Sequence, residues 1–204
     1  MSVALIDYGA GNLRSVNNAL RAAGAEDVRV TADPAQVRAA ERIVLPGVGA
    51  FAAAMRALSA IPGMTDALDT TVRRGGRPFL GICVGMQLMA EAGEEFGTHR
   101  GLGWIPGTSR RLEPADPAAR VPHMGWNDVT PDRPHPLVEP GEAYFLHSYA
   151  LDPADPADRL AATDHGGPVT AAVARDNMAG VQFHPEKSQA YGLALLRRFL
   201  DWRP

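Results

Sequence analysis

Through roughly the first hundred positions, short apolar runs alternate with stretches of helical periodicity. SVALID (2–7) reads as a strand, and Asn12–Ala23 as an amphipathic helix with Leu13, Val16 and Leu20 on one face. DVRV (27–30) gives a second strand. Asp33 followed by Pro34 has the form of a cap and first-turn proline opening a short helix. RIVLP (42–46) is the third strand, helical segments follow near 51–60 and 62–74, and Pro78–Ile82 is a fourth strand that runs into a helix from Val84. This alternation predicts βαβ units and a parallel sheet.

Beyond about position 100 proline and glycine become frequent. Short alternating runs at 107–113, 121–129, 142–149, 159–164 and 168–175 predict antiparallel strands and hairpins. A strand, AGVQFH (179–184), and a helix, Ser188–Trp202, close the chain. There is no internal repeat, low-complexity tract or linker. The expectation is one α/β domain over 1–204 with a mixed, mostly parallel sheet flanked by helices and extra antiparallel strands in its second half.

Composition narrows the setting. A single cysteine cannot close an internal disulfide, so nothing points to an oxidising compartment. The start MSVALIDYGAGN has no basic stretch and soon reaches Asp7, unlike a signal peptide. No apolar run approaches the ~20 residues that span a bilayer. A net charge of -3 gives no reason to expect nucleic acid or an anionic membrane. A cytoplasmic protein is expected. Of the 20 basic residues, Lys187 alone is a lysine.

The chemistry begins at GICVGMQ (81–87). A strand that ends in Gly-x-Cys-x-Gly and enters a helix has the spacing of a nucleophile elbow, with sulfur in place of the usual oxygen. Gly81 and Gly85 permit a tight turn that presents Cys83 at the carboxyl end of the sheet. The helix N-terminus favours a thiolate there, and the Val84 N–H lies beside the sulfur as a candidate oxyanion donor. By itself the pattern also fits a small buried hydrophobe.

A nucleophilic thiol needs a base. Among histidines 99, 123, 135, 147, 165 and 184, only His184, in VQFHPEKS, has an acid at a spacing that orients it. Pro185 biases His184 to extended geometry, which turns Glu186 to the same side. Cys83, His184 and Glu186 then supply nucleophile, base and orienter. LPGVGAF (45–51) places Gly47, Val48 and Gly49 after a strand, where the N–H groups of Val48 and Gly49 are candidates for a second oxyanion donor. A peptide between Val48 and Gly49 that turns its N–H toward or away from the site would form a switch, which Gly49→Pro would block.

With these pieces assembled, the chain resembles the class I, triad-type glutamine amidotransferases. Within them it is similar to the glutaminase subunits of imidazole glycerol phosphate synthases. DYGAGNLRSV (7–16), LPGVGAF (45–51), GICVGMQLM (81–89), VPHMGWN (121–127), YFLHSYA (144–150) and GVQFHPEKS (180–188) carry the likeness across nearly the whole chain, in family order. The resemblance implies that Cys83 attacks the amide of glutamine, that His184 protonates the departing ammonia and activates water, and that Glu186 orients His184. It also implies Gln87, Glu95 and Gly47 as substrate contacts, with Glu94 an alternative to Glu95. Ser148 and Tyr149 would hold the α-carboxylate. The implied partner is a separate (β/α)8-barrel cyclase that receives ammonia through a tunnel, facing Asn12, Met124, Trp126 and Lys187. No cofactor or metal is implied.

Competing readings have less behind them. Gly9-x-Gly11-x-x-Arg14 lacks the third glycine of a dinucleotide fingerprint, and no acid ends the following strand. No HExxH or paired cysteines suggest a metal. Glutaminases of the anthranilate, aminodeoxychorismate, GMP or pyridoxal phosphate pathways fit PGVG and PHMGWN less well. A non-enzymatic cysteine sensor has no use for the His184–Glu186 pair.

Overall fold

The computed structural model describes residues 1–204. The chain runs through β1 (Ser2–Ile6), α1 (Leu13–Ala22), β2 (Asp27–Thr31), α2 (Pro34–Ala39), β3 (Arg42–Gly47), α3 (Phe51–Ala60), α4 (Met64–Leu68), β4 (Phe79–Cys83) and α5 (Val84–Gln87). There follow β5 (Ala90–Glu94), β6 (Thr98–Arg100), β7 (Ile105–Arg111), β8 (His123–Pro131), β9 (Gly141–His147), β10 (Tyr149–Pro153), β11 (Arg159–Asp164), β12 (Pro168–Arg175), β13 (Met178–Val181) and α6 (Gln189–Asp201). A π-helical turn, Asp69–Arg74, continues α4, and a 3-10 turn, Pro185–Lys187, precedes α6.

Nine strands form the main sheet in the order β2-β1-β3-β4-β13-β12-β11-β8-β9. The first five pair in parallel and the remainder antiparallel, so the change of texture along the sequence is also a change of pairing. Strands β3 and β4 are buried at every position, as expected of strands covered on both faces. Helix α1 packs against α6, and α2 and α3 both pack against α4. The Asp33 carboxylate accepts the Ala35 N–H at 2.8 Å, with Pro34 in the first turn, so the predicted cap forms. A second sheet, β10-β7-β5-β6, is not hydrogen-bonded into the first, though its β10 lies near β12.

Strands β6 and β10 form where the sequence reading had placed none, and two further departures bear on the site. The helix from Val84 lasts only to Gln87, and the chain then turns into β5, where the sequence had suggested no strand. Tertiary packing overrides the helical periodicity there. Gly93 lies against the Phe51 ring, and a Cβ in its place would come within 2.6 Å of a ring carbon. The strand expected over 179–184 ends at Val181. Glu186 therefore reaches His184 through a 3-10 turn and not by strand alternation.

Candidate active site

Strand order and the elbow together set the site. In an open sheet of this parallel order, ligands bind at the carboxyl ends of the strands, where β3 delivers Gly47 and β4 delivers Cys83. Cys83 holds φ +53 and ψ −111, an uncommon conformation for a residue with a Cβ. The surroundings enforce it: a Cβ on Gly81 would meet the Gly85 carbonyl oxygen at 2.6 Å, and one on Gly85 would run into the Leu45 carbonyl. Both elbow glycines are thus required by close approach of backbones.

A cleft of about 560 Å³ opens over the sulfur. Val48, Gly49, Cys83, Val84, Gln87, Glu95, Ser148, Tyr149, His184 and Lys187 all line it, which brings most of the sequence-predicted residues together. Gly47 is buried just behind, at the end of β3. Phe96 and Arg111, outside every motif, line it as well, as do Pro122 of VPHMGWN and Leu146 and His147 of YFLHSYA, to which no role had been given. A second cleft, about 420 Å³ beside Glu113 and Gly166, shares only Arg111 with the first and contains no candidate nucleophile. No group of three or more His, Cys, Asp and Glu side chains converges as a metal-ligand set.

His184 and Glu186 are buried partners, Nδ1 to Oε1 at 2.9 Å, with their side chains 5% and 1% exposed. A carboxylate only accepts, so Nδ1 carries the proton and Nε2 is the nitrogen left to serve Cys83, which lines the same cleft. Burial works against a charged imidazole. Its interactions with Cys83 and with the hydrogen-bonded Glu186 outweigh it and push the His184 pKa up to about 9. The arrangement favours an imidazolium beside the sulfur near neutral pH. Helix α5, with four residues, contributes only a small dipole, so His184 is the main positive partner of the sulfur. The Ser188 hydroxyl donates to the His184 carbonyl at 2.7 Å and accepts the Tyr144 N–H at 2.9 Å, which ties this turn to β9.

Substrate candidates show what the sequence left open. Glu95 lines the cleft and accepts the Phe51 N–H at 2.7 Å, capping α3 from 44 residues away. Glu94 turns instead toward Arg110, at 3.5 Å. Gln87 is almost fully buried, and its amide N–H groups are already engaged: Nε2 donates to the Tyr149 carbonyl at 2.8 Å and to Gln182 Oε1 at 3.2 Å. Only its carbonyl oxygen remains free for a ligand. Gln182, fully buried, extends Nε2 to 3.7 Å from the Cys83 sulfur. Gly49 has φ +88, and Val48 is exposed.

The residues singled out for a partner lie at the same end of the sheet. Met124 and Trp126 on β8 pair in register with Leu146 and Tyr144 on β9, and Met124, Trp126 and Leu146 are exposed. The Trp126 ring meets that of Tyr144 edge-on at 6.1 Å, and Lys187 Nζ sits 5.8 Å above the same Tyr144 ring. Asn12 is exposed at the start of α1, which packs against the Pro185–Lys187 turn.

The family model for class-I glutamine amidotransferases matches residues 4–202. Subunit HisH of imidazole glycerol phosphate synthase from Zymomonas mobilis is 64% identical over 207 residues, covering 100% of this chain and 97% of that protein. The subunit of the same name from Rhodospirillum rubrum is 55% identical, with 100% of both chains covered. A solved glutamine amidotransferase superposes with a TM-score of 0.77 over 98% of each chain at 17% identity, a likeness of fold. The chain belongs to the class I glutamine amidotransferase family.

Proposed function

We propose that the chain is the glutaminase subunit of an imidazole glycerol phosphate synthase, acting in histidine biosynthesis in the cytoplasm. The Cys83 thiolate attacks the side-chain amide carbon of glutamine. The resulting oxyanion takes N–H donors from Val84 and from the Val48–Gly49 segment. As the C–N bond breaks, His184 gives its proton to the leaving nitrogen, which departs as ammonia and leaves a glutamyl thioester. Neutral His184 then removes a proton from water, hydroxide adds to the thioester, and glutamate leaves as the thiol is regenerated. Glu186 keeps the imidazole in the Nδ1–H form throughout. Glu95 receives the α-ammonium of glutamine, and the backbone at Ser148 and Tyr149 receives its α-carboxylate, with Gly47 and the Gln87 oxygen completing the pocket.

The observation that carries this reading is the buried 2.9 Å His184–Glu186 pair beside a cysteine held at positive φ. The names of the relatives, each a subunit of a synthase, support a partner to which ammonia is passed. That partner is a separate (β/α)8-barrel cyclase, which docks on the apolar face of Met124, Trp126 and Leu146 and against Asn12. Lys187, at the rim of the cleft, pairs with an acid of the barrel. No cofactor, nucleic acid or membrane takes part. The test is glutamate release by the chain alone, with the barrel, and with the barrel carrying its nucleotide. Release that rises with the loaded barrel supports the assignment, and release indifferent to it opposes the assignment.

A further inference from the structure

Between the apolar face of β8–β9 and the Cys83 sulfur lies a set of polar side chains of which the reaction above uses only the Gln87 oxygen. His147 Nδ1 is 2.9 Å from the Tyr149 carbonyl. A carbonyl only accepts, so Nδ1 bears the proton and Nε2 of the neutral ring must accept. His123 Nδ1 stands 3.0 Å from that Nε2 and therefore donates to it. His123 Nε2 in turn accepts from the Asn127 amide at 3.1 Å, and the same amide donates to the Asp164 carbonyl at 2.7 Å. From the other side, Gln87 Nε2 donates to the same Tyr149 carbonyl, and Gln182 passes the contact on to the sulfur. Donors and acceptors alternate in only one way, and that way requires both imidazoles to be neutral.

The surroundings favour that state. Burial lowers the His123 pKa to about 4, helped by the charge of His165. Burial lowers that of His147 to about 3, against the opposing hydrogen bond it donates to the Tyr149 carbonyl. The rings of Phe145 and His165 stack on His123 at 4.6 and 4.1 Å, and both His123 and His147 are buried. His123 begins β8, whose next residue, Met124, belongs to the exposed face.

We propose that His123 and His147 are positioning residues: the one-directional hydrogen-bond chain they form holds the Tyr149 carbonyl, and through Gln87 and Gln182 the Cys83 sulfur, in the geometry that attacks glutamine. This rests on the glutaminase reading for its catalytic meaning. The chain joins the face proposed to dock the barrel to the attacking atom through consecutive hydrogen bonds. An arrangement of that kind has a stiff geometry, because each missing partner leaves a buried donor or acceptor unpaired.

The first test needs no variant. Nitrogen-15 imidazole spectra of the full chain near neutral pH should show His123 and His147 both neutral and both in the Nδ1–H form, the minor tautomer of histidine in water. An Nε2–H or doubly protonated ring at either position overturns the proposal. The second test compares His147→Leu with His147→Asn, whose amide can take the place of Nδ1 and keep the donor to Tyr149. In the complex with the barrel, His147→Leu should lose on the order of 10²-fold in kcat with a smaller change in KM, and His147→Asn should recover most of it. Alkylation of Cys83 by a neutral reagent should slow in parallel. Because alkylation needs no glutamine, it tests the positioning even if the glutaminase reading fails. Unchanged kcat and alkylation in a folded His147→Leu protein would overturn the proposal. If that variant does not fold, the tautomers and the asparagine variant decide.

Discussion

Replacing Glu186 by glutamine removes one charge and little else, and so isolates what the carboxylate does. The pair is short, at 2.9 Å, and both side chains are almost fully out of water. A hydrogen bond to a charged group is worth about 1.5–3 kcal/mol. If the imidazolium loses that much support, kcat should fall by roughly 10-fold to somewhat over 10²-fold. The glutamine oxygen can still accept from Nδ1, so the ring keeps its tautomer, and Glu186→Gln should remain more active than His184→Ala. The latter loses both proton transfers, each worth ~10²–10⁴-fold. Glu186 Oε2 has no partner, so the new amide NH2 placed there is buried without an acceptor, at a stability cost of about 1–3 kcal/mol.

The pH dependence has a definite sign. The His184 pKa is raised from 6.5 to about 9, so its contribution to stability is fully present below about pH 6.5 and is lost as pH rises through 9. The wild type should therefore exceed Glu186→Gln in stability most clearly near pH 6, with the gap narrowing toward pH 10. With the carboxylate gone, burial lowers the pKa, and the alkaline limb of kcat/KM moves to lower pH. The assay is glutamate release across pH in the presence of the loaded barrel, beside thermal melts at the same pH values. A variant within twofold of wild-type kcat and with an unmoved alkaline limb would refute the role given to Glu186.

Other perturbations reach the elbow, the partner face and the oxyanion segment. Gly85→Ala drives a methyl group into the Leu45 carbonyl, so it should cost roughly 1–3 kcal/mol or more in denaturant unfolding; a stability equal to wild type would contradict the close packing. Lys187→Ala should weaken the coupling of glutamine hydrolysis to the cyclase reaction more than it alters hydrolysis itself, measured as the ratio of glutamate to cyclised product; an unchanged ratio would make the lysine incidental. The isolated chain should hydrolyse glutamine poorly and gain on the order of 10²-fold or more with the loaded barrel, the worth of one oxyanion donor; full activity of the lone chain would exclude a switch at Val48–Gly49. Gly49→Pro is not a clean probe of that switch, because φ +88 is closed to proline whatever its N–H does.

What was legible in the sequence was local. Periodicity marked β1, β3 and β4 because a strand buried on both faces reads as an apolar run, and β2, an edge strand, by the β-rich DVRV between two helical patterns. The Gly81-x-Cys83-x-Gly85 spacing revealed the elbow because steric contact at those positions tolerates no side chain. His184 and Glu186 were close enough in sequence to be paired, although a 3-10 turn and not an extended strand brings them together. What was hidden depends on distant chain. Helix α5 ends at Gln87 because β5 must pack over Phe51, and nothing in MQLMAEAG signals that. Glu95 is fixed by capping a helix 44 residues earlier, and His123 meets His147 only through the pairing of β8 with β9.

The central claim is that Cys83 carries the glutamyl group. The most direct measurement is intact-mass analysis of the chain, acid-quenched during turnover with glutamine and the loaded barrel. A species heavier by one glutamyl group is expected, located on the peptide that contains Cys83 and lost in hydroxylamine. Cys83→Ala, folded and still bound to the barrel, should show neither that species nor glutamate release. Glutamate released at the wild-type rate by Cys83→Ala would contradict it.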